Sequence, residues 1–262
     1  MKRSVGVVIN RCREYGFLFT ELVKRDFKKR YKRTALGMLW SVLGPLLQLC
    51  VMALVFTNFF GRTTPHYIVY LFAGNLTYSF FRESTNTGMT SLIGNAALIQ
   101  KVKVPKYIFL LAANIKSLIN FLINLIIFFI FVIFDDIPLG AHLFFLIIPI
   151  LNLVAFNIGV GLILSAMFVF FRDTSYLYDI FTQLLMYMSA IFYPVDGFSY
   201  RVRQLFMLNP VFTHIFYIRS IVIHAVIPSL NVHIIMFTSS AIVLLVGSLI
   251  YKKNNYRFIY YF

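Results

Sequence analysis

Long apolar stretches separated by short polar segments dominate this chain of 262 residues. A membrane-spanning helix needs about 20 predominantly apolar residues, and the strands of an outer-membrane barrel would instead alternate polar and apolar positions. The pattern therefore predicts an all-α polytopic membrane protein in a single domain. We predict six transmembrane helices, at about residues 35–60, 67–90, 107–134, 142–169, 176–193 and 232–251.

Residues 195–230, which we call the re-entrant segment, are apolar only in patches. Charged residues and prolines interrupt them: Arg201, Arg203, Asn209-Pro210, Arg219 and Pro228. A lipid-facing span would tolerate such a run poorly. We therefore predict one or two short helices on the outer side that enter the membrane and return, with turns at Pro194 and at Asn209-Pro210. A seventh full span is the alternative.

Composition and charge position support the membrane assignment and fix an orientation. Hydrophobic residues make up 60% of the chain and charged residues 13%, whereas soluble domains are about 25% charged. The net charge is +15, and eleven basic residues fall within positions 1–33. Basic loops favour the cytoplasm, so we expect both termini inside, including the tail at 252–262. Six spans then place eighteen basic residues inside and four outside. This placement beside spans argues against nucleic-acid binding.

Residues 1–33 form a basic arm with a helical pattern. Tyr15, Phe19, Leu22, Val23, Phe27 and Tyr31 share one side of a helical wheel. The other side holds Glu21, Lys24, Arg25, Lys28, Lys29 and Lys32. Five cations of the arm, which we call the arm cations, are the candidates for attracting anionic groups: Lys24, Arg25, Lys28, Lys29 and Arg30. Such a helix is expected to lie at the inner membrane surface, with its apolar side in the membrane and its cations attracting anionic lipid. A topology signal without further role is the alternative.

Little in the chain indicates catalysis. There is no G-x-x-x-x-G-K-[ST] sequence for binding a nucleotide, no acid/base cluster, and no spacing typical of a metal site. The polar run that begins at Arg82-Glu83 and continues through 84–87 has three interpretations: a helix that has already reached the cytoplasm, a helix that packs inside the bundle, or the polar wall of a conduit. Residues 94–106 are short, polar and basic, and cannot span a membrane.

The run from Glu21 to Pro45 (ELVKRDFKKRYKRTALGMLWSVLGP) resembles the opening of membrane subunits of ABC-2 type transporters, which export polysaccharides, O-antigens, capsules and teichoic acids. Residues 95–105 resemble that family's coupling helix. Phe171-Arg172-Asp173 resembles the turn between its fourth and fifth spans. Residues 191–194 and Asn209-Pro210 resemble its outer re-entrant segment.

The resemblance implies a subunit without its own motor in a bacterial cytoplasmic (inner) membrane. Two copies would form a conduit, and each would sit on a separate ATPase subunit that binds ATP and Mg²⁺; this chain would hold no cofactor. The substrate would be a glycan linked to undecaprenyl diphosphate, and the arm cations would attract that lipid diphosphate at the inner leaflet. Membrane lipids would be further partners. Residues 94–106 would contact the ATPase, through Asn95, Leu98, Ile99, Lys101, Val104 and Pro105.

Aromatic rings suit a glycan conduit because the apolar face of a sugar stacks on them. The candidates for the conduit wall are Tyr70, Tyr78, Phe80, Phe81, Arg82, Tyr187, Phe192 and Tyr193. Taken singly, each ring is more often found facing lipid or in the core. Three other functions stay open: a wall teichoic acid exporter, an exporter of drugs or simple lipids with the same fold, and a membrane-embedded enzyme of lipid-linked glycan assembly. ATP hydrolysis that requires a partner chain would separate the transporters from the enzyme.

Overall fold

The computed structural model describes residues 15–25, 28, 36–60, 64–102 and 104–262, and this part of the chain contains helices and no β-strand. Helix α1 covers residues 15–25. The others are α2 (Trp40–Phe60), α3 (Tyr67–Thr90), α4 (Ala96–Lys101), α5 (Tyr107–Phe134), α6 (Ile147–Phe170), α7 (Thr174–Met188), α8 (Tyr200–Met207), α9 (Pro210–Val222) and α10 (Leu230–Asn254). Short 3-10 turns precede α2, α4 and α6, and another follows α10.

Four helical stretches of the described chain are long and apolar enough to cross a membrane: α2, α5, α10, and α6 together with its preceding turn. The bent pair α8–α9 would make a fifth. Helix α3 has 24 residues but a polar second half. Helix α7 has 15 residues, about 22 Å, against a hydrocarbon core of about 30 Å. The fold is therefore a multi-pass helical bundle, and the number of six spans stays a prediction.

The bundle is built around α6, which packs along α10 and α3, while α3 also packs along α5. Glycines let the backbones of α6 and α10 approach closely: a Cβ on Gly159 would lie 2.6 Å from the Leu244 nitrogen. Aromatic pairs fill the space between α3 and its neighbours. Phe72 meets Phe128 edge to face, with ring centroids 5.5 Å apart. These contacts hold α3 at the centre of the bundle, where its polar residues can line an internal surface.

The predicted fifth span, at 176–193, was wrong at its end, because α7 stops at Met188. The next residues are irregular yet buried, and Ala190 has a positive φ of 47°. Arg219 supplies the missing hydrogen bonds: its Nη1 donates to the Ala190 carbonyl and its Nη2 to the Ile191 carbonyl, both at 2.9 Å. Irregular backbone inside a membrane protein is tolerated where protein groups satisfy it.

The structure also corrects the expected position of Arg219. The sequence placed it among the charges outside the membrane, but the structure buries it in α9 with only 4% of its surface exposed. Its Nε also donates to the Tyr70 carbonyl at 3.1 Å. A guanidinium has five donors and no acceptor, so a group of carbonyls can satisfy it. The number of basic residues expected outside therefore falls to three.

The re-entrant segment forms two helices, α8 and α9, that meet at 105°. The break lies at Asn209-Pro210, as the sequence predicted. Asn209 Oδ1 accepts hydrogen bonds from the backbone nitrogens of Val211 and Phe212, at 3.0 and 3.4 Å, and Pro210 occupies the first turn of α9. Asparagine before proline is a strong helix start, because proline lacks the N–H that would go unpaired there. Pro194 lies in the irregular stretch before α8.

The apolar side of α1 packs on protein, which corrects the expectation that it faces the membrane. Leu22 is 3% exposed, and Tyr15, Phe19 and Val23 pack against the same group of residues. This group, which we call the arm cluster, is formed by Leu22, Leu92, Ile99, Ile108, Phe109, Leu110, Ala112, Leu162, Ala166, Val169, Tyr251 and Phe258. It joins the arm, α4 and the C-terminal residues. Phe27 and Tyr31 lie outside the described residues.

Candidate functional site: a polar cleft between α2, α3 and α5

A cleft of 920 Å³ runs between α2, α3 and α5. It follows α3 from Phe72 to Ser91, about 28 Å at the rise of an α-helix. Its polar lining side chains are Arg25, Ser41, Gln48, Asn75, Tyr78, Ser79, Arg82, Glu83, Asn86, Thr87, Thr90, Ser91, Asn95, Lys116, Ser117, Asn120 and Asn124. Polar side chains inside a membrane bundle are costly and usually mark a pathway or a binding site.

The cleft combines positive charge with amide groups. Among the described lining residues, Arg25, Arg82 and Lys116 oppose one carboxylate, Glu83. The Glu83 carboxylate accepts a hydrogen bond from the Asn120 amide at 2.8 Å, across α3 and α5. The lining can therefore attract an anion through its cations and bind hydroxyl groups through its amides.

Part of the polar run on α3 serves packing instead. Ser84 donates to Asn114 Oδ1 on α5 at 2.5 Å. The hydroxyl of Tyr178 on α7 donates to Thr85 at 2.5 Å. Packing inside the bundle is confirmed for Ser84 and Thr85, which are buried between helices. Glu83 and Asn86 line the cleft, and the wall of a conduit stays a prediction for them.

A second cleft of 500 Å³ lies between α3 and α7 and shares Arg82 with the first. Tyr78, Asp179 and Gln183 also line it. Tyr78 donates its hydroxyl to the Thr182 carbonyl, which ties α3 to α7 between the two clefts. Arg82 is exposed, so its guanidinium is accessible where the two clefts meet.

The structure brings only some of the conduit candidates to a cleft. Tyr78, Phe80 and Arg82 line the α2–α3–α5 cleft. The other aromatic candidates fall elsewhere: Phe81 and Phe192 lie in the hydrophobic core, Tyr70 and Tyr193 are partly buried, and Tyr187 is 53% exposed on α7. A lining role for Phe81 and Phe192 is therefore wrong for the cavities of a single chain. The reason is packing: the Phe192 ring stacks on Phe56 at 4.7 Å, and the Phe81 ring on Phe156 at 5.9 Å.

Tyr70 and Tyr193 fix the chain after α7. The Tyr70 hydroxyl donates to the Tyr193 carbonyl at 2.9 Å, and the Arg219 guanidinium lies 3.4 Å from the centre of the Tyr70 ring. The Tyr193 hydroxyl donates to the Tyr187 carbonyl at 2.7 Å. Asn209 Nδ2 donates to the Met188 carbonyl at 3.2 Å. These contacts give the residues structural roles at the break between α7 and α8.

Residues 94–106 form a helical turn, the short helix α4 and an extended stretch before α5. Ile99 is 5% exposed and belongs to the arm cluster, and Leu98 and Val104 pack against that cluster. The surface open to a partner is different: Gly94, Ala97, Gln100, Lys101 and Val102 are exposed, while Asn95 and Pro105 are partly buried. The expectation that Ile99 contacts the ATPase is corrected, because its side chain is buried in the arm cluster. Leu98 is partly buried, and its contact with the ATPase stays a prediction.

The arm cations divide between the helix surface and the cleft. Lys24 pairs with Glu21 at 3.0 Å on the exposed side of α1, and Lys28 is also exposed. Arg25 reaches the cleft, where its guanidinium donates to Asn95 Oδ1 at 2.7 Å. Lys29 and Arg30 lie outside the described residues.

Lys116 and the amides Gln48, Asn75, Asn120 and Asn124 are site residues that the sequence did not predict. A signal was present, because Lys116, Asn120 and Asn124 recur every four residues and so share one side of α5. The residues Asn75, Ser79, Glu83 and Asn86 make a similar stripe on α3. Each stripe alone is typical of ordinary packing between two helices. Only their juxtaposition makes a cleft.

The chain belongs to the ABC-2 type transporter family, which it matches over residues 18–223. It is thus a transport membrane subunit whose matched region holds the cleft, α4 and the break after α7.

The similar proteins are permeases of polysaccharide export systems. The chain is 29% identical over 248 residues to the O-antigen export system permease protein RfbA of Klebsiella pneumoniae, covering 93% of this chain and 95% of the relative. Its identity to the protein of the same name from Myxococcus xanthus is 26%, over 76% of this chain and 77% of the relative. The capsule polysaccharide export inner-membrane protein CtrC of Neisseria meningitidis serogroup A is 23% identical, over 72% and 73%.

Proposed function

We propose that this chain is the membrane subunit of an ABC transporter that exports polysaccharide, linked to a lipid diphosphate, across the bacterial cytoplasmic membrane. The observation that carries the proposal is the likeness to O-antigen export permeases over nearly the whole length of both chains. The chemistry of the α2–α3–α5 cleft supports it, because amides and aromatic rings suit hydroxyl groups and sugar faces. O-antigen or capsule is the proposed cargo, since the relatives carry both descriptions.

The energy would come from a separate ATPase subunit that binds ATP and Mg²⁺. This chain has no phosphate-binding loop in its sequence and would act as a conduit and not as an enzyme. The exposed side of α4 and its flanks, from Gly94 to Val102, is the proposed contact with the ATPase. The support is mechanical. Because Ile99 anchors α4 in the arm cluster with Ile108 and Phe109 of α5, a push on α4 would reach α5 directly.

A second copy would complete the conduit, with one ATPase for each copy. Helix α7 supports this arrangement, because it exposes polar Asp179 and Gln183 beside a series of apolar residues. Polar groups facing lipid are unfavourable, so this face would meet either a partner copy or the water of the conduit. Tyr187 lies on the same helix and is equally exposed.

The proposed topology has six spans, with both termini in the cytoplasm and α8 and α9 as outer re-entrant helices. Helices α3 and α7 would be the two remaining spans, beside the four that are apolar enough alone. The buried surface of α9 supports a position inside the bundle, since 11 of its 13 residues are buried.

Deleting the gene should leave the cell-surface polysaccharide depleted and its lipid-linked form accumulated inside, and a plasmid copy should restore export. Surface glycan is measured on gels of whole cells and of protease-treated spheroplasts. Purification in mild detergent should recover an ATPase chain with this one, and ATP hydrolysis should require both. Unchanged surface glycan with altered tolerance to drugs would refute the proposal in favour of the drug exporter. Activity on lipid-linked glycan without ATP would favour the enzyme.

A further inference from the structure

The α2–α3–α5 cleft has an internal order that its volume alone does not reveal. Arg82 and Lys116 lie near its middle, and Arg25 lies at the end nearest α4. Toward the other end the described lining holds uncharged amides, including Asn75, Gln48 and Asn124. An anion placed at the cations would therefore extend, along the cleft, into a stretch of hydrogen-bonding groups without charge.

One of those amides is incompletely satisfied. Asn124 donates its Nδ2 to the Asn120 carbonyl at 2.8 Å, but its Oδ1 is buried without a hydrogen-bond partner among the described residues. Buried polar atoms in native structures are nearly always paired, so an orphan acceptor indicates a missing donor. A hydroxyl group of the organic part can supply that donor, whereas a phosphodiester is fully ionised at neutral pH and carries no O–H.

We propose that the α2–α3–α5 cleft binds a phosphate ester whose organic part carries hydroxyl groups, with the phosphate at Arg82 and Lys116 and a hydroxyl on Asn124. The inference deepens the proposed function and rests on it only for the identity of the cargo. Two sources share this chemistry: the headgroup of a membrane lipid, which would enter from the bilayer, and a water-soluble sugar phosphate. Because Arg82 also lines the α3–α7 cleft, it would be the point from which the anion passes toward α7.

The test uses the purified full-length chain in neutral detergent, without an ATPase. Binding of radiolabelled dihexanoyl phosphatidylglycerol is measured by equilibrium dialysis, with glucose 1-phosphate, inorganic phosphate, glucose and dihexanoyl phosphatidylcholine as competitors. Trp40 is the only tryptophan of the chain and lines the cleft, so its emission reports binding at this place. We expect saturable binding that glucose 1-phosphate and phosphate reduce, and that glucose and phosphatidylcholine leave unchanged. Tighter binding of phosphatidylglycerol than of glucose 1-phosphate would make the lipid the source, and the reverse order the sugar phosphate.

Two variants test the contributions of the Arg82 charge and of the Asn124 amide to binding separately. Arg82→Gln should weaken every phosphate-bearing ligand by about tenfold or more, the factor that corresponds to about 1.4 kcal/mol, and Arg82→Lys should lose less because it keeps the charge. Asn124→Leu should weaken phosphatidylglycerol and glucose 1-phosphate by about two- to tenfold, as expected for one hydrogen bond, and should leave inorganic phosphate unchanged. Arg203→Gln is the matched control, since Arg203 is exposed on α8 and away from the cleft.

Equal binding of phosphatidylglycerol and phosphatidylcholine would overturn the proposal, and so would binding that Arg82→Gln and Arg203→Gln change equally. If Arg82→Gln does not fold, judged by gel filtration and thermal melting, the competition by phosphate in the unchanged protein still decides. The site and the proposed function can fail separately. If the purified chain does not bind these ligands while deletion of the gene depletes the surface glycan, only the site is refuted. If the chain binds them while deletion leaves the surface glycan unchanged, only the proposed function is refuted.

Discussion

Replacing Arg219 by Met is the sharpest test of how the chain after α7 is held. Met fills much of the same volume but donates no hydrogen bond. The change removes the donors to the Ala190 and Ile191 carbonyls, which lie in irregular backbone, and a third donor to the Tyr70 carbonyl. It also removes the guanidinium from the face of the Tyr70 ring.

The expected loss of stability follows from the two carbonyls in irregular backbone, those of Ala190 and Ile191. A buried acceptor left without its donor costs about 1–3 kcal/mol, so the pair predicts a loss of about 2–6 kcal/mol. For a chain of this size 1 kcal/mol shifts the melting temperature by about 2 °C or more. We therefore expect the apparent melting temperature in detergent to fall by at least about 4 °C at a fixed scan rate.

Gly74 provides an independent check on the same contact. A Cβ added at Gly74 would lie 2.5 Å from Arg219 Nη2, so Gly74→Ala must displace the guanidinium and should destabilise the protein. In the Arg219→Met background the same alanine should cost much less, because a flexible side chain has replaced the fixed one. Coupled residues show such non-additive effects, whereas distant sites add within about 0.5 kcal/mol.

Arg203→Met is the control, because Arg203 is exposed on α8. Equal melting temperatures of Arg219→Met and Arg203→Met would contradict the role given to Arg219. Additive effects of Gly74→Ala and Arg219→Met would contradict the contact between the two residues.

Three further predictions concern the partner, the arm and the topology. Ala97→Asp combined with Lys101→Glu changes two exposed residues of α4. This double variant should abolish copurification of the ATPase while the melting temperature stays unchanged. Ile99→Asp should instead lower the melting temperature, because it places a carboxylate in the arm cluster. Retained copurification in the first variant would place the ATPase contact elsewhere. Neutralising the five arm cations should reduce glycan export more than it reduces assembly with the ATPase, and an equal loss of both would leave the arm as a topology signal only. Cysteines at Ser199 and Ser229, both exposed, should react in a cysteine-free background with an impermeant thiol reagent added outside; labelling of only one would mean that the re-entrant segment crosses the membrane.

The sequence alone was sufficient for features that depend on neighbours along the chain. The range 107–134 matches helix α5, an apolar run that lies between Lys106 and Asp135, and 67–90 matches α3. The break at Asn209-Pro210 was equally local, since the cap and the proline act within one turn. The family resemblance also lay in contiguous residues, from Glu21 to Pro45.

Features that depend on distant residues needed the tertiary structure. No local rule ends α7 at Met188, because the donor that satisfies the following carbonyls is Arg219, 28 residues beyond Ile191. The burial of Ile99 depends on the arm cluster, whose members come from the arm, from α5, from α6 and from the end of α10. The polar stripes of α3 and α5 could each be recognised in the sequence, but each could have faced lipid headgroups, another helix or water. Periodicity specifies which side of a helix a residue occupies, and packing between helices determines what that side meets. For this reason the sequence predicted the bounds of helices such as α3 and α5, and the cleft came only from the fold.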